Sequence, residues 1–471
     1  MYSTSDTIIA QISAPGYAAT AQIRISGSKC FDIVAKHFSK PKNLIQAPSH
    51  SILHGFFLDV DGVQIDEVLC LIFRMPHSYT GEDCCEISTH GNPLLVGRII
   101  EILLKNCRIA QAGEFTYRAY MNGKLDLGQA EAVNDLIKAP TELASSVALG
   151  QLRGKLTQYI MQLMEELVEL RIKLELMIDF ADQDLPAIEN SVLIEELQQK
   201  LITMRDMHAN GRQGRLLREG IKLCLTGAPN AGKSSIFNAM LEENRAIVSP
   251  HAGTTRDYLE EVIAFAGYQL IVYDTAGLRS AENDIEAIGI ESTYKLLHDA
   301  DLNIYIVEYE RLLDETAYQD EILSLPRTLL IVNKVDLIFP QAMPTLNEWQ
   351  DHIHSVSPSC AKLEKLLRAS IPVSTLHFQG LKIFQEKLME HLNLRSDISQ
   401  SIIISNTRHL NALAKAIIAT ENALQSLHHE DGYEFTAFEL ISAHSALGEI
   451  LGTVSTEELL GKIFSEFCIG K

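Results

Sequence analysis

GAPNAGKS, residues 227–234, decides how the centre of this chain folds. It matches G-x-x-x-x-G-K-[ST], follows the apolar run IKLCLTG and precedes SSIFNAMLEE. Strand, glycine loop and helix therefore succeed one another as a phosphate-binding loop requires. Gly227 and Gly232 let the backbone turn N–H groups toward phosphate oxygens at a helix N-terminus, which favours an anion. Lys233 is placed to neutralise the β- and γ-phosphates, and Ser234 to offer its hydroxyl to Mg²⁺. Asn230, Ala231 and Ser235 complete the stretch expected to hold nucleotide.

Two companions follow at strand ends. DTAG (Asp274, Thr275, Ala276, Gly277) comes after YQLIVY, and NKVD (Asn333, Lys334, Val335, Asp336) after TLLIV. Asp274 is suited to act on Mg²⁺ through its water shell, and Gly277 to give an N–H to the γ-phosphate. The Asp336 carboxylate can accept from both N1–H and the exocyclic amine of guanine. Adenine lacks that donor pair and would leave a buried carboxylate unpaired. In this order the motifs resemble a translation-factor-type GTPase domain. The residue after Gly277 is Leu278, which cannot orient water, so hydrolysis needs other machinery. Asn230 could ligate a monovalent cation or stabilise an Asx-type turn. Glu286 could aim a water or lie on a solvated helix face. GTTRD, residues 253–257, supplies Thr255 for Mg²⁺ and Thr254 beside a cation site; K⁺ there would stand where an arginine finger otherwise acts.

Working outward, IKLCLTG, YQLIVYD, LNIYIV and TLLIVN read as a parallel sheet covered on both faces. Residues 1–122 mix short strand-like runs with one helical stretch near VGRIIEILLKN, an α+β pattern. From residue 123 the texture is helical. Leu152, Leu156, Ile160, Leu163, Leu167, Leu170, Leu174 and Met177 form one apolar stripe, expected to be bundle core. Residues 385–471 are helical again. The fold expected is multidomain α+β and α/β. A G domain (217–384) is inserted into a helical domain built from 123–216 and 385–471, after an N-terminal domain (1–122).

Lys and Arg number 40 against 61 Asp and Glu, a balance of −21, which excludes a whole-surface nucleic-acid footprint and leaves room for a local patch. A basic stripe (Arg212, Arg215, Arg218, Lys222) reads as a solvated helix end. The eight cysteines contain no C-x-x-C pair, so neither zinc nor a disulfide framework is expected. No signal peptide or bilayer-length apolar run is evident, and the terminal CIGK does not fit prenylation; a cytoplasmic chain without a membrane anchor is expected.

With Asn230, GTTRD, DTAGLR and CIGK in hand, the chain resembles the tRNA modification GTPase family (MnmE, also called TrmE). The likeness spans nearly the whole chain, through DTIIAQ, RISG (24–27), SYTGED (78–83) and GEFTYRAYMNGKLDLGQAEAV (113–133). It implies a tetrahydrofolate-binding N-terminal domain that dimerises and a helical domain split by the G domain. It also implies a heterotetramer with an FAD/NADH-dependent partner of the MnmG (GidA) family. Together these modify C5 of the wobble uridine (U34) in certain tRNAs, with the one-carbon unit from methylenetetrahydrofolate. The resemblance assigns folate (5-formyl or methylene form) to Arg24, Glu86, Lys124 and Lys471, with Cys468 near the carbon transferred or simply a packed thiol. K⁺ goes to Asn230 with the backbone of Ser249, His251 and Thr254, Mg²⁺ to Ser234 and Thr255, and water orientation to Glu286. Ser249, Pro250, His251, Ala252, Gly253 and Thr254 then belong to the loop around GTP. Three places depart from the family pattern: YAATA (17–21), Pro250 with His251, and STL (Ser374, Thr375, Leu376), where Ser374 is the expected base contact. The rival class is a ribosome-assembly switch GTPase, but a second G domain or basic RNA-binding tail is missing. A folate enzyme acting alone lacks any flavin motif.

Overall fold

The computed structural model describes residues 5–179, 189–228, 230–243, 260–274, 295–314, 322, 324–340, 343–356, 365, 367–375, 380–394, 403–429, 432–453 and 456–471. The described chain is multidomain, with α+β and α/β parts. It divides into two units: residues 1–138, 148–205 and 411–471, and residues 139–147 with 206–410.

The first unit opens with β1 (Ile8–Gln11), β2 (Ala18–Ser26), β3 (Ser51–Leu58), β4 (Gln64–Phe73), β5 (Cys84–Gly91) and β6 (Arg108–Ile109). They form one sheet in the order β3-β4-β5-β2-β1-β6, antiparallel except for β1 against β6. Strand β4 shows why: in QIDEVLCLIF the alternate Asp66, Val68, Cys70 and Ile72 are buried, the period-two signature of a sheet with one covered face. Helices α1 (Cys30–Ala35), α2 (Pro41–Gln46) and α3 (Pro93–Leu103) contribute Phe31, Val34, Leu44, Val96 and Ile99 to that core. Asn92 caps α3 by accepting from the Leu94 N–H at 3.0 Å, and Pro93 takes the first position. A fourth helix, α4 (Glu114–Met121), follows. One helix was expected here and four are present. α1 and α2 have six residues each, too few to display a 3.6-residue period.

Asp66 is the polar exception on the covered face. It accepts from the Thr89 hydroxyl, from the His90 N–H at 2.9 Å and from the His90 ring at 2.7 Å. Burial raises its carboxyl, but these donors and the Glu67 N–H overcome that and hold it below the ordinary carboxylate range. Because the folded value is depressed, the stabilisation is present above the unfolded value of about 3.9 and lost as pH falls through the folded one. Asp66→Asn is therefore expected to cost about 1–3 kcal/mol at neutral pH and progressively less on acidification. Thermal melts of both chains from neutral to acid pH check this; a loss independent of pH would assign the effect to packing instead.

Helices α5 (Leu127–Lys138), α6 (Glu142–Leu152), α7 (Lys155–Asp179) and α8 (Asn190–Glu219) come next. The stripe lies on α7, where Leu156, Ile160, Leu163, Leu167, Leu170 and Leu174 are buried. Leu152 belongs to α6 instead, because Gly154 turns the chain at a φ of +80° between the two helices.

The second unit carries β7 (Ile221–Gly227), β8 (Glu260–Phe265), β9 (Tyr268–Asp274), β10 (Leu302–Glu308), β11 (Thr328–Asn333) and β12 (Ile371–Pro372), in the order β12-β11-β10-β7-β9-β8. All pairs are parallel except β8 with β9. The near-continuous burial of β10 and β11 suits a sheet covered on both faces. Strand β8 has no counterpart in the sequence reading. Its hairpin turns on Ala266 and Gly267, at φ +50° and +85°, a two-residue connection of the kind that fits strand twist. Helices α9 (Lys233–Glu243), α10 (Tyr309–Asp314), α11 (Leu346–Val356) and α12 (Leu381–Leu392) flank this sheet. Finally α13 (Thr407–His429), α14 (Tyr433–Leu451) and α15 (Glu457–Ser465) return to the first unit, where α14 packs along α7. No helix among the described residues is long and apolar enough to cross a membrane.

Candidate functional site

The phosphate loop leaves the C-terminal end of β7. Gly227 has a φ of +136° and so little room that a Cβ would collide with the Ile306 carbonyl of β10. Asn230 and Gly232 also take left-handed backbone, at φ +64° and +91°. A Cβ at Gly232 would strike the Asn333 amide. That closeness has a use. Asn333 is fully buried and donates from Nδ2 to the Ala231 carbonyl at 2.8 Å, tying the NKVD turn to the phosphate loop. Its Oδ1 accepts from the Thr375 N–H at 3.3 Å, which brings in the STL segment. Three segments distant in sequence thus meet at one end of the parallel strands, the edge where open α/β sheets bind ligands.

Within this frame Lys233 Nζ donates to the carbonyls of Gly227 at 3.0 Å and Ala228 at 2.9 Å, so the ammonium lies across the loop. Ser234 and Ser235 are exposed on the first turn of α9. Lys334 takes left-handed backbone (φ +61°) and pairs with Glu308 at 2.5 Å at the end of β10. Asp336 lies half-buried on the 3-10 turn Val335–Leu337. Ser374 is fully buried, and its hydroxyl has no hydrogen-bond partner among the described residues. Thr375, rather than Ser374, meets Asn333; no local pattern marks it, because the contact joins residues 42 apart. Asp274 ends β9 opposite Leu225 of β7. Ser249, Pro250, His251, Ala252, Gly253, Thr254, Thr255, Thr275, Ala276, Gly277, Leu278 and Glu286 lie outside the described residues.

A second cluster forms in the first unit. Arg24 of β2 and Glu86 of β5 are cross-strand partners, joined at 2.9 Å from Nε and 2.8 Å from Nη2. The guanidinium is 4.8 Å from the Tyr79 ring centroid and 5.4 Å from that of Phe115, a cation–π arrangement that fixes its plane. Its Nη1 is buried without a hydrogen-bond partner among the described residues. The chain terminus reaches the same place. Ile469 bridges to Ala112, the Phe115 N–H donates to the Lys471 carbonyl at 3.2 Å, and Gly470 sits at φ +101°, where a Cβ would lie 2.5 Å from the Gln11 carbonyl oxygen. Burial lowers the Lys471 ammonium below the ordinary lysine value; Arg24 adds to this, while Glu86 and Cys468 oppose it. Arg24, Glu86 and Lys471 are therefore neighbours, and Cys468 is exposed beside them. Lys124, the fourth expected member, donates instead to the Pro76 carbonyl at 3.1 Å. An orphaned guanidinium nitrogen beside an ammonium and a carboxylate suits a ligand with both anionic and donor groups.

Sequence reasoning missed a third group. Arg118 of α4 is fully buried and reaches Asp6 at 2.8 Å, Glu82 at 3.1 Å and Glu114 at 3.1 Å. Ser26 also donates to Glu82 at 2.8 Å and shares a 2.7 Å hydrogen bond with Thr80. The available signal was Glu114 and Arg118 spaced i, i+4, on one helix face.

Comparison with known proteins covers all of these sites. The family model described as the MnmE helical domain matches residues 127–468, and that described as GTP-binding protein TrmE N-terminus matches residues 7–124. The tRNA modification GTPase MnmE of Aquifex aeolicus is 37% identical over 470 residues, covering 99% of this chain and 100% of that one. That of Opitutus terrae is 37% identical over 474 residues, with 99% of each chain covered. That of Clostridioides difficile is 35% identical over 477 residues, again with 99% of each covered. End-to-end similarity at this level, with two family models dividing the chain between them, makes it a member of the MnmE family of tRNA modification GTPases.

Proposed function

We propose that this chain hydrolyses GTP to drive modification of tRNA at C5 of the wobble uridine U34. The observation that carries the GTPase half is the Asn333 tie to Ala231, which sets the guanine-reading turn against the phosphate loop. In this reading Lys233 holds the β- and γ-phosphates and Asp336 reads guanine. Ser234, exposed where α9 begins, fits a Mg²⁺ ligand and would act with Thr255. Asn230 is exposed on a left-handed turn of the same loop and fits a K⁺ ligand, with the backbone of Ser249, His251 and Thr254. K⁺ there supplies positive charge beside the phosphates. Glu286 orients the attacking water.

The cluster of Arg24, Glu86 and Lys471, with Lys124, is proposed to hold a tetrahydrofolate. Glu86 would pair with the amino-pyrimidine edge, the cations with the glutamate tail, and Cys468 would lie near the one-carbon unit. Residues 1–122 would bind folate and dimerise. Residues 123–216 and 385–471 would form the helical domain, and 217–384 the G domain. The working assembly is a cytoplasmic homodimer joined to an FAD/NADH-dependent protein of the MnmG (GidA) type.

Hydrolysis is expected to run about tenfold or more faster in K⁺ than in Na⁺, because the cation does part of the work of an arginine finger; equal rates would remove the cation role. Glu286→Ala is expected to lower kcat about a hundredfold with GTP affinity nearly intact, whereas a large loss of GTP binding would make Glu286 structural. Mass spectrometry of bulk tRNA from a strain lacking this chain tests the reading as a whole. A missing C5 substituent supports it; intact modification with immature ribosomal subunits supports a ribosome-assembly switch.

A further inference from the structure

A cavity of about 570 Å³ opens in the second unit, lined by Arg212, Arg215, Asp301, Leu302, Arg327, Thr328 and His391. Its place in the fold is well defined. Arg212 and Arg215 lie toward the end of α8, Asp301 and Leu302 where β10 begins, Arg327 and Thr328 where β11 begins, and His391 in the last turn of α12. The nucleotide loops leave the opposite ends of the same strands. With seven residues in β10, the two edges stand roughly 20 Å apart.

Three guanidinium groups and one carboxylate give this cavity a net charge of 3 − 1 = +2 with His391 neutral, in a chain whose total is −21. The one carboxylate is already committed. Asp301 accepts from Arg215 at 3.0 Å and from the Lys222 N–H at 3.0 Å, so it anchors Arg215 rather than filling the opening. Arg327 gives one Nη to the Ala300 carbonyl at 3.2 Å. Arg212 is exposed and has no hydrogen bond or ion pair among the described residues.

A solvated helix end accounts for Arg218, which lies in the final turn of α8 and favours its negative pole, and for Arg215, one turn earlier and paired with Glu219. It does not account for Arg212, nearly two turns from that end. Nor does it account for Arg327, which belongs to another segment and holds left-handed backbone at φ +47°. That conformation is uncommon for a non-glycine residue and fixes the point from which the Arg327 side chain leaves the backbone at the cavity rim. Arg215 is matched by Asp301 and by Glu219 at 3.5 Å, but Arg212 and Arg327 converge from separate elements with no ion pair among the described residues, which favours a polyanion, and a cavity focuses their field.

We propose that this cavity is a phosphate-backbone contact for RNA, on the sheet edge opposite the nucleotide. Arg212 and Arg327 are its main cations, and Arg215 is positioned by Asp301. This rests on the reading that the chain acts on tRNA, and it supplies the local patch that an acidic chain needs for such a partner. Contacts of this kind position an RNA without reading its sequence. Each phosphate neutralised also releases counterions, so the contact shows in the salt dependence of binding.

The test uses the full chain and unmodified tRNA, with equilibrium binding measured by fluorescence anisotropy from about 50 to 200 mM salt, the range over which such contacts weaken steeply. Arg212→Glu is expected to weaken binding about tenfold and to reduce the log–log salt slope by about one. Adding Arg327→Glu is expected to reduce it by about two in all. GTP affinity and hydrolysis without RNA stay at the parental values, which also reports that the second unit is folded. Arg212→Lys, which keeps the charge, is expected to retain most of the affinity. Unchanged tRNA affinity and slope in both glutamate variants would overturn the site while leaving the wobble-modification reading intact. Variants that lose affinity for inorganic phosphate but not for tRNA would overturn it in favour of a free-anion site.

Discussion

Asp336→Asn is expected to shift the preference of the chain between GTP and XTP by about 10⁴-fold, the scale on which a buried hydrogen-bonding pair rejects a partner lacking it. The carboxylate accepts from two guanine donors at once. An amide keeps one acceptor and places an N–H against the second donor, which is repulsive with guanine and attractive with the carbonyl that xanthine carries there. The frame around residue 336 should survive the change, because its supports lie elsewhere. The Val335 N–H donates to the Val373 carbonyl at 3.3 Å, Lys334 pairs with Glu308, and Asn333 ties the turn to Ala231. Competition binding with both nucleotides measures the switch. Asn333→Ala is the informative contrast: it loosens the turn from the phosphate loop and should weaken both nucleotides alike. Equal losses of GTP and XTP in Asp336→Asn would mean that the residue supports the turn and does not read the base.

The nucleotide half of the fold was legible because its chemistry is local. GAPNAGKS needs two positive-φ glycines and a lysine within eight residues, and Gly227 and Gly232 occupy those conformations. The strands were legible too, since burial on both faces leaves an unbroken apolar run. What escaped was whatever depends on residues far apart in the chain. Thr375 matters only through Asn333, and β8 is recognisable only beside β9, since its first residues are two glutamates. The tail is a mixed case. Its likeness to a family ending pointed to Lys471 and Cys468, but the reason Gly470 must be glycine is the Gln11 carbonyl facing it, more than 450 residues away. The cavity at the far sheet edge is the extreme example. Its cations come from α8, the start of β11 and the end of α12, and only the first two of them stood in a visible stripe.

Arg118→Met is expected to cost about 3–5 kcal/mol in the first unit, the usual consequence of removing one partner from a buried ionic group. Methionine approximates the length of the side chain, so the loss is not a cavity effect. What it removes is the fork that serves Asp6, Glu82 and Glu114 together. Glu114 is itself fully buried and keeps one cation, Arg108 at 2.5 Å, which also holds Asp6. Among the described residues Glu82 keeps just the hydroxyl of Ser26 at 2.8 Å, and a carboxylate with its side chain 16% exposed, served by a hydroxyl, is the costly remainder. Adding Glu82→Gln to Arg118→Met should therefore recover about 1–2 kcal/mol, whereas Glu82→Gln in the parental chain should destabilise; a double-mutant cycle isolates that coupling. The molecule offers a way to see where the loss falls. Its one tryptophan, Trp349, is buried in the second unit. The transition seen by circular dichroism should move to lower denaturant while the Trp349 fluorescence transition stays. If Arg118→Met left both unchanged, the three carboxylates would have to be held by something other than this arginine, and a core charge would have been kept in the helix that carries GEFTYRAYMNG for no energetic reason.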